Sequence, residues 1–210
     1  MNPAARGRFV SFEGGEGAGK STQAKLLAER LTAAGRKIVL TREPGGSPGA
    51  EQIRKLLVEG EPERWSALAE TLLFLAARAD HVGRVIEPAL AAGQWVICDR
   101  FADSTVVYQG VARGLGAERV RSLQKAAGAL EPDLTIIVDV EPRAGLRRTQ
   151  ARGISENRFE QFDSGFHRQL REAFLDIARQ EPQRCVVVDG SRSVETVAAD
   201  IWRIVTERLA

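Results

Sequence analysis

Nine consecutive residues near the start of the chain have the composition of a phosphate cradle. Gly14-Gly15-Glu16-Gly17-Ala18-Gly19-Lys20-Ser21-Thr22 fits the pattern G-x-x-x-x-G-K-[ST]. The glycines let the backbone turn with its N–H groups pointing inward, where a side chain would collide with phosphate. A helix starting directly afterwards adds its positive end. In such a loop Lys20 reaches the β- and γ-phosphates and Ser21 ligates Mg²⁺. The dinucleotide fingerprint is excluded, because Gly15-x-Gly17 would need a glycine where Lys20 stands. Only two asparagines occur, Asn2 and Asn157, and neither opens a guanine-reading Asn-Lys-x-Asp segment. ATP is therefore the expected nucleotide.

A second group of segments carries polar chemistry. Thr41-Arg42-Glu43-Pro44-Gly45-Gly46-Ser47-Pro48 reads as a loop entering a helix, with Ser47 at the N-cap and Pro48 first inside. Arg54 follows on that helix. Phe74 and Arg78 are four apart and share a helix face, where a ring could stack and a guanidinium could meet a base edge. The same pair could equally be a core ring and a solvated charge. Asp99-Arg100-Phe101, Asp103-Ser104-Thr105 and Tyr108-Gln109-Gly110 complete the set.

These segments need a scaffold, and its pattern is regular. Five short β-branched-rich runs occur at Arg8 to Glu13, Lys37 to Thr41, Trp95 to Asp99, Leu134 to Val140 and Cys185 to Asp189. Unbroken apolarity suits strands covered on both faces, as in a parallel sheet. Helical patterns separate them: Gly19 to Ala34, Pro48 to Glu59, Ala67 to Ala92, Glu118 to Ala129, Arg143 to Ala151, Gly165 to Arg179 and Val194 to Leu209. Alternation of this kind means βαβ units in an α/β fold. The runs end in Glu13, Thr41, Asp99, Asp139 and Asp189, so a parallel sheet would gather these along its ligand-binding edge.

The 210 residues carry 43% hydrophobic and 28% charged side chains and a formal charge of +2. One domain over 1–210 with a sizeable core is expected. The charge excess is too small for polymeric nucleic-acid binding. Cys98 and Cys185 sit in apolar runs and read as reduced core thiols. There is no signal-peptide stretch and no membrane-length apolar run, so a cytoplasmic protein without membrane contact is expected.

The chain resembles the bacterial thymidylate kinase family. The resemblance rests on Phe12 to Thr22, on Thr41-Arg42-Glu43-Pro44-Gly45-Gly46, and on Asp99-Arg100-Phe101 with Tyr108-Gln109-Gly110. Pro132-Asp133-Leu134 and the arginine-rich stretch after Leu146 add to it. It implies a five-stranded parallel sheet flanked by helices, a homodimer, and transfer of phosphate from ATP to dTMP with Mg²⁺. It also implies residue roles. Phe74 would stack on thymine and Arg78 would bond a thymine carbonyl. Ser104, Thr105 and Gln109 would line the base and sugar pocket, and Arg54 and Arg100 would hold the dTMP phosphate. Glu16 would meet the 3′-hydroxyl, Glu43 would lie near the acceptor and its waters, and Asp99 would stand near Mg²⁺, reaching it through water. Phe101 departs from the tyrosine or histidine common at its place and is assigned to packing.

The acceptor phosphate is already ionised, so no general base is required, and His81 and His167 are expected to be surface or structural residues. What the reaction requires is positive charge around two repelling anions. In this family one further arginine stands in the phosphate loop or in a lid. No basic residue lies between Gly14 and Gly19, so the lid over about 147–165 should supply it, with Arg152 first, Arg158 second and Arg148 third. A kinase for another nucleoside or nucleoside monophosphate, or an ATPase without a small acceptor, would also accommodate the phosphate loop.

Overall fold

The computed structural model describes residues 6–128, 130–150 and 158–209. Five parallel strands form one sheet in the order β2-β3-β1-β4-β5: β1 (Phe9–Glu13), β2 (Ile38–Arg42), β3 (Trp95–Asp99), β4 (Leu134–Asp139) and β5 (Cys185–Asp189). The first strand lies between β3 and β4, with Phe12 beside Asp99 and Ile136. The order reverses around β1, so the crevice opens beyond its carboxyl end, where the phosphate loop begins.

Although the runs are continuously apolar, alternate residues serve different faces. Val10, Phe12, Leu134, Ile136 and Val138 pack with helices α1 (Lys20–Ala33) and α9 (Val194–Leu209). On the other face, Phe9, Val96 and Cys98 meet Val82, Ile86 and Leu90, while Ile137 and Cys185 meet Leu170 and Phe174. Full coverage holds for β1, β3 and most of β4. It fails on the outer strands, where Leu40 is 47% and Val187 40% exposed, because an edge strand has a neighbour on one side only.

The other helices are α2 (Pro48–Val58), α3 (Ala67–His81), α4 (Glu87–Ala91), α5 (Ala102–Thr105), α6 (Ala117–Ala126), α7 (Pro142–Gln150) and α8 (Ser164–Gln180). The expected helix from Ala67 to Ala92 is α3 and α4 joined by a wide π turn at Val82–Ile86. Pro88, early in α4, lacks the N–H that an ordinary helix would use there. A second π turn, Val106–Ala112, follows α5 and was not expected from the sequence. Ser47 stands at the N-cap of α2, but its hydroxyl donates to Asp80 Oδ2 at 2.6 Å and not to the helix. No helix among the described residues is long and apolar enough to cross a membrane. Both cysteines are free and buried. Burial pushes the Cys185 thiol up to about 12 and raises Cys98 well above its usual value, which suits inert packing.

Candidate active site

Two clefts meet beyond β1 and β3. One, of about 910 Å³, is bordered by all nine residues expected to hold the second substrate: Glu16, Glu43, Arg54, Phe74, Arg78, Arg100, Ser104, Thr105 and Gln109. The other, of about 740 Å³, is bordered by Glu16 through Thr22. Glu16, Ser21, Arg54, Asp99, Arg100 and Glu160 border both. The two spaces are thus neighbours across one wall that carries two guanidinium groups.

The phosphate loop takes the shape its glycines allow. Gly14, Gly17 and Gly19 have φ of 131°, 64° and 98°. A Cβ on Gly14 would lie 2.4 Å from the Val138 carbonyl oxygen, and one on Gly17 would lie 2.0 Å from that of Gly145. Gly145 is on α7, so the stem of the expected lid is seated directly on the loop. Lys20 is buried and donates to the carbonyls of Gly14 (3.1 Å) and Gly15 (2.7 Å). Burial, together with repulsion from Arg100, lowers its ammonium to about 8. A lysine of this kind loses its charge as pH rises past that value. ATP affinity of the free protein should therefore fall about tenfold between about pH 7 and about pH 9. Calorimetric titration at the two values checks this, and an unchanged dissociation constant would contradict it.

Arg100 follows the last residue of β3 and has φ of 68°, a left-handed conformation rare in non-glycine residues. The turn is held from below by Glu13, at the end of β1. Its Oε1 accepts from the N–H groups of Phe101 (2.8 Å) and Ser104 (3.3 Å), and its Oε2 from the Ser104 hydroxyl (2.6 Å). Burial, reinforced by Asp103, raises Glu13 to about 7. Strain of this kind persists only where surrounding bonds enforce it, which is common at functional sites. The result aims the Arg100 fork at Glu16 Oε1 (2.8 Å), the Gly14 carbonyl (3.1 Å) and the Ser104 hydroxyl (3.2 Å), with its carbon centre 5.0 Å from the Tyr108 ring. Glu16 also accepts from the Tyr108 hydroxyl at 2.7 Å. Burial alone would raise Glu16, but Arg100 and Lys20 outweigh it and hold the carboxyl at about 2.

The base end is equally ordered. Arg78 Nε donates to Glu43 Oε2 at 2.7 Å, and its Nη2 donates to the Phe101 carbonyl and the Thr105 hydroxyl, each at 3.0 Å. Glu43 Oε1 meets His81 Nδ1 at 3.0 Å, and His81 Nε2 meets the Thr41 hydroxyl at 2.7 Å. One Glu43 oxygen thus fixes Arg78 while the other is held by His81, a fully buried structural residue. Arg78 Nη1 and Gln109 Oε1 are buried and have no hydrogen-bond partner among the described residues. One is a donor and the other an acceptor, and both belong to residues that border the larger cleft. Phe74 is half-buried beside the cleft and lies 6.2 Å from Phe159. Phe101 packs edge-on against Phe9 at 4.8 Å, as expected.

Asp99 and Ser21 face one another where the clefts join, and the Ser21 hydroxyl donates to Asp99 Oδ2. Asp99 Oδ1 is buried and has no partner among the described residues. A hydroxyl and a carboxylate are the hard oxygen donors that Mg²⁺ takes, together with substrate phosphates. Among the described residues no group of three or more His, Cys, Asp or Glu could hold a metal unaided. The residues present fit an ion carried in by a nucleotide.

Three expectations need correction or limits. Arg158, taken as a lid arginine, borders neither cleft. It is only 1% exposed, and its guanidinium donates to the carbonyls of Leu57, Glu61 and Pro62. Buried backbone acceptors and a buried carboxylate compete for it more strongly than the open loop does. Arg152 lies outside the described residues, and Arg148 is exposed and donates to the Gly190 carbonyl at 3.3 Å. Of the acidic strand ends, only Asp99 borders a cleft; Asp139 pairs with Arg171 at 2.6 Å, and Asp189 accepts from the Ser191 N–H and hydroxyl. Residues given no role from the sequence also belong here, namely Glu13, Tyr108, Phe159 and Glu160. Tyr108 stood in a quoted motif, and Glu160 follows the arginine-rich stretch. Glu13 is one of the strand ends expected along the ligand-binding edge, but its hold on the Arg100 turn has no signal in the sequence.

Comparison with known proteins gives one consistent result. The thymidylate kinase family model matches residues 12–201. The thymidylate kinase of Ruegeria pomeroyi is 56% identical over 203 residues, covering 97% of this chain and 96% of the relative. That of Dinoroseobacter shibae is 57% identical over 195 residues, covering 93% and 94%. The crystal structure of thymidylate kinase from Ehrlichia chaffeensis superposes with a TM-score of 0.77 at 34% identity, covering 95% of this chain and 99% of that one. Its nucleotide-cradling loop, its paired clefts and these matches together show that the chain belongs to the thymidylate kinase family.

Proposed function

We propose that this protein transfers the γ-phosphoryl group of ATP to dTMP, giving ADP and dTDP. The observation that carries the reading is the wall shared by the two clefts, where Arg54, Arg100, Asp99 and Ser21 face both spaces. ATP phosphates occupy the loop beside Lys20, and the dTMP phosphate meets Arg54 and Arg100 from the other side. Arginine suits this place because its fork binds two phosphate oxygens together. The acceptor oxygen is an anion already, so the difficulty is charge repulsion, and positioning with electrostatic stabilisation supplies the catalysis. Ser21, and Asp99 through water, would hold Mg²⁺, which would supply positive charge against the phosphates. Arg152, with Arg148 as the alternative, is the arginine proposed to close over the transferring group, in a lid that also excludes water. A homodimer in the cytoplasm is the proposed assembly and location.

At the far end, thymine lies against Phe74. Its carbonyl takes the unmet Arg78 Nη1 donor, while Ser104, Thr105 and Gln109 line the base and sugar. Arg78→Ala should weaken dTMP binding by about 1.5–3 kcal/mol while leaving ATP binding nearly unchanged. Separate titrations with the two nucleotides measure this, and equal losses would contradict the base-reading role. The reading as a whole is tested by coupled ADP release with dTMP, dUMP, dCMP, AMP and GMP. The fastest turnover is expected with dTMP. Preference for AMP or GMP would refute the assignment, as would ATP hydrolysis that dTMP does not stimulate.

A further inference from the structure

We infer that Glu70 and Arg158 form a buried positioning pair that fixes which way round the Gln109 amide stands, and thereby sets the preference for thymine over cytosine. This rests on the reading of the larger cleft as the dTMP site.

Glu70, on α3, is wholly buried, and Arg158 Nη1 lies 2.5 Å from its Oε2. Gln109 Nε2 donates to Glu70 Oε1 at 2.8 Å, and Arg113 Nε stands 4.0 Å from the same oxygen. Arg158 is anchored in turn by backbone carbonyls in the last turn of α2, Leu57 (3.1 Å), and in the loop to α3, Glu61 (3.0 Å) and Pro62 (2.5 Å). A carboxylate paired with guanidinium groups only accepts hydrogen bonds. The amide of Gln109 must therefore present its NH₂ to Glu70 and direct its carbonyl oxygen away from it. That oxygen is the buried acceptor without a partner, on a residue that borders the cleft.

An unmet acceptor and an unmet donor on two residues of one cleft can together read a base edge. Thymine carries a ring N–H between two carbonyls, whereas cytosine has an unprotonated ring nitrogen and an amino donor at the corresponding places. Gln109 Oε1 with Arg78 Nη1 complements the first edge and opposes the second. Turned round, the amide would oppose thymine instead. Uracil has the same edge as thymine, so this pair does not separate dTMP from dUMP. Neither Glu70 nor Arg158 touches the substrate, and both act through Gln109.

The test uses the full chain with ATP saturating, and compares kcat/KM for dTMP and dCMP in the wild type, Glu70→Gln and Arg158→Lys. In Glu70→Gln the neighbour of Gln109 can donate as well as accept, so both amide orientations become available. The dTMP:dCMP ratio should fall about tenfold or more, mainly through KM for dTMP, while KM for ATP stays put. Arg158→Lys keeps the charge but loses the fork, and should move the ratio the same way by less. A folded Glu70→Gln that loses activity on both substrates equally, with the wild-type ratio intact, overturns the inference. If its melting curve shows no folded protein, the ratio in Arg158→Lys decides alone, and an unchanged value there overturns it. A wild-type protein that does not prefer dTMP to dCMP would instead refute the assignment of the cleft.

Discussion

Lys20→Ala is expected to lower kcat at least about 10³-fold, with the fold intact. Removing one preorganised charge from a water-poor site typically costs about 10²–10³-fold, and cationic groups that face the transferring phosphoryl can matter more. Lys20 is suited to that role because its ammonium is already desolvated and held above the loop by the Gly14 and Gly15 carbonyls, at 3.1 and 2.7 Å. Replacing it by alanine removes these two bonds but touches none of the packed apolar residues between the sheet and α1. The melting temperature should consequently move by only a few degrees. Steady-state rates with dTMP and ATP, alongside a thermal melt, check both halves. Near-normal turnover would refute the phosphate role.

Arg100→Ala is expected to lower kcat/KM for dTMP by about 10²–10³-fold, and Arg100→Lys to recover only part of it. The comparison is informative because alanine and lysine both keep a Cβ at φ 68°, so the backbone strain is the same in all three proteins. What differs is the fork. Arginine reaches Glu16, the Gly14 carbonyl and Ser104 from one planar group, and lysine cannot reproduce that geometry. Alanine also leaves the half-buried Glu16 carboxylate without its main counter-charge, which removes the chief cause of its depression to about 2. Full recovery by lysine would show that charge alone is needed. A loss confined to ATP, with dTMP unaffected, would place Arg100 on the donor side only.

Much of this arrangement is legible in the residues. The phosphate loop could be read because glycine spacing, Lys20 and Ser21 are dictated by backbone geometry within nine positions. Two strands, Trp95–Asp99 and Cys185–Asp189, fall where their apolar runs place them; β1 and β4 differ by one residue at one end, and β2 is shifted by one residue at both. The segment from Ala102 to Ala112 was less legible. Thr105, Val106 and Val107 are β-branched and Gly110 is a weak helix former, yet tertiary packing bends them into a short helix and a π turn that brings Thr105, Tyr108 and Gln109 to one cleft. Arg158 was misplaced for a related reason. An arginine in a basic stretch gives no sign in sequence of the carbonyls it will meet, because these come from residues almost a hundred positions earlier. Arg78 illustrates the converse: its spacing from Phe74 allowed two readings, and its burial against Glu43 and Thr105 removes that of a solvated charge.

The central claim is that one wall of arginines draws two phosphate groups into line. A crystal structure of the protein with dTMP and a non-hydrolysable ATP analogue tests it most directly. The account predicts the dTMP phosphate against Arg54 and Arg100, its oxygen facing the γ-phosphate beside Lys20, and the thymine ring against Phe74. A complex in which Arg54 and Arg100 turn away from the monophosphate, or in which dTMP settles outside the larger cleft, would contradict it.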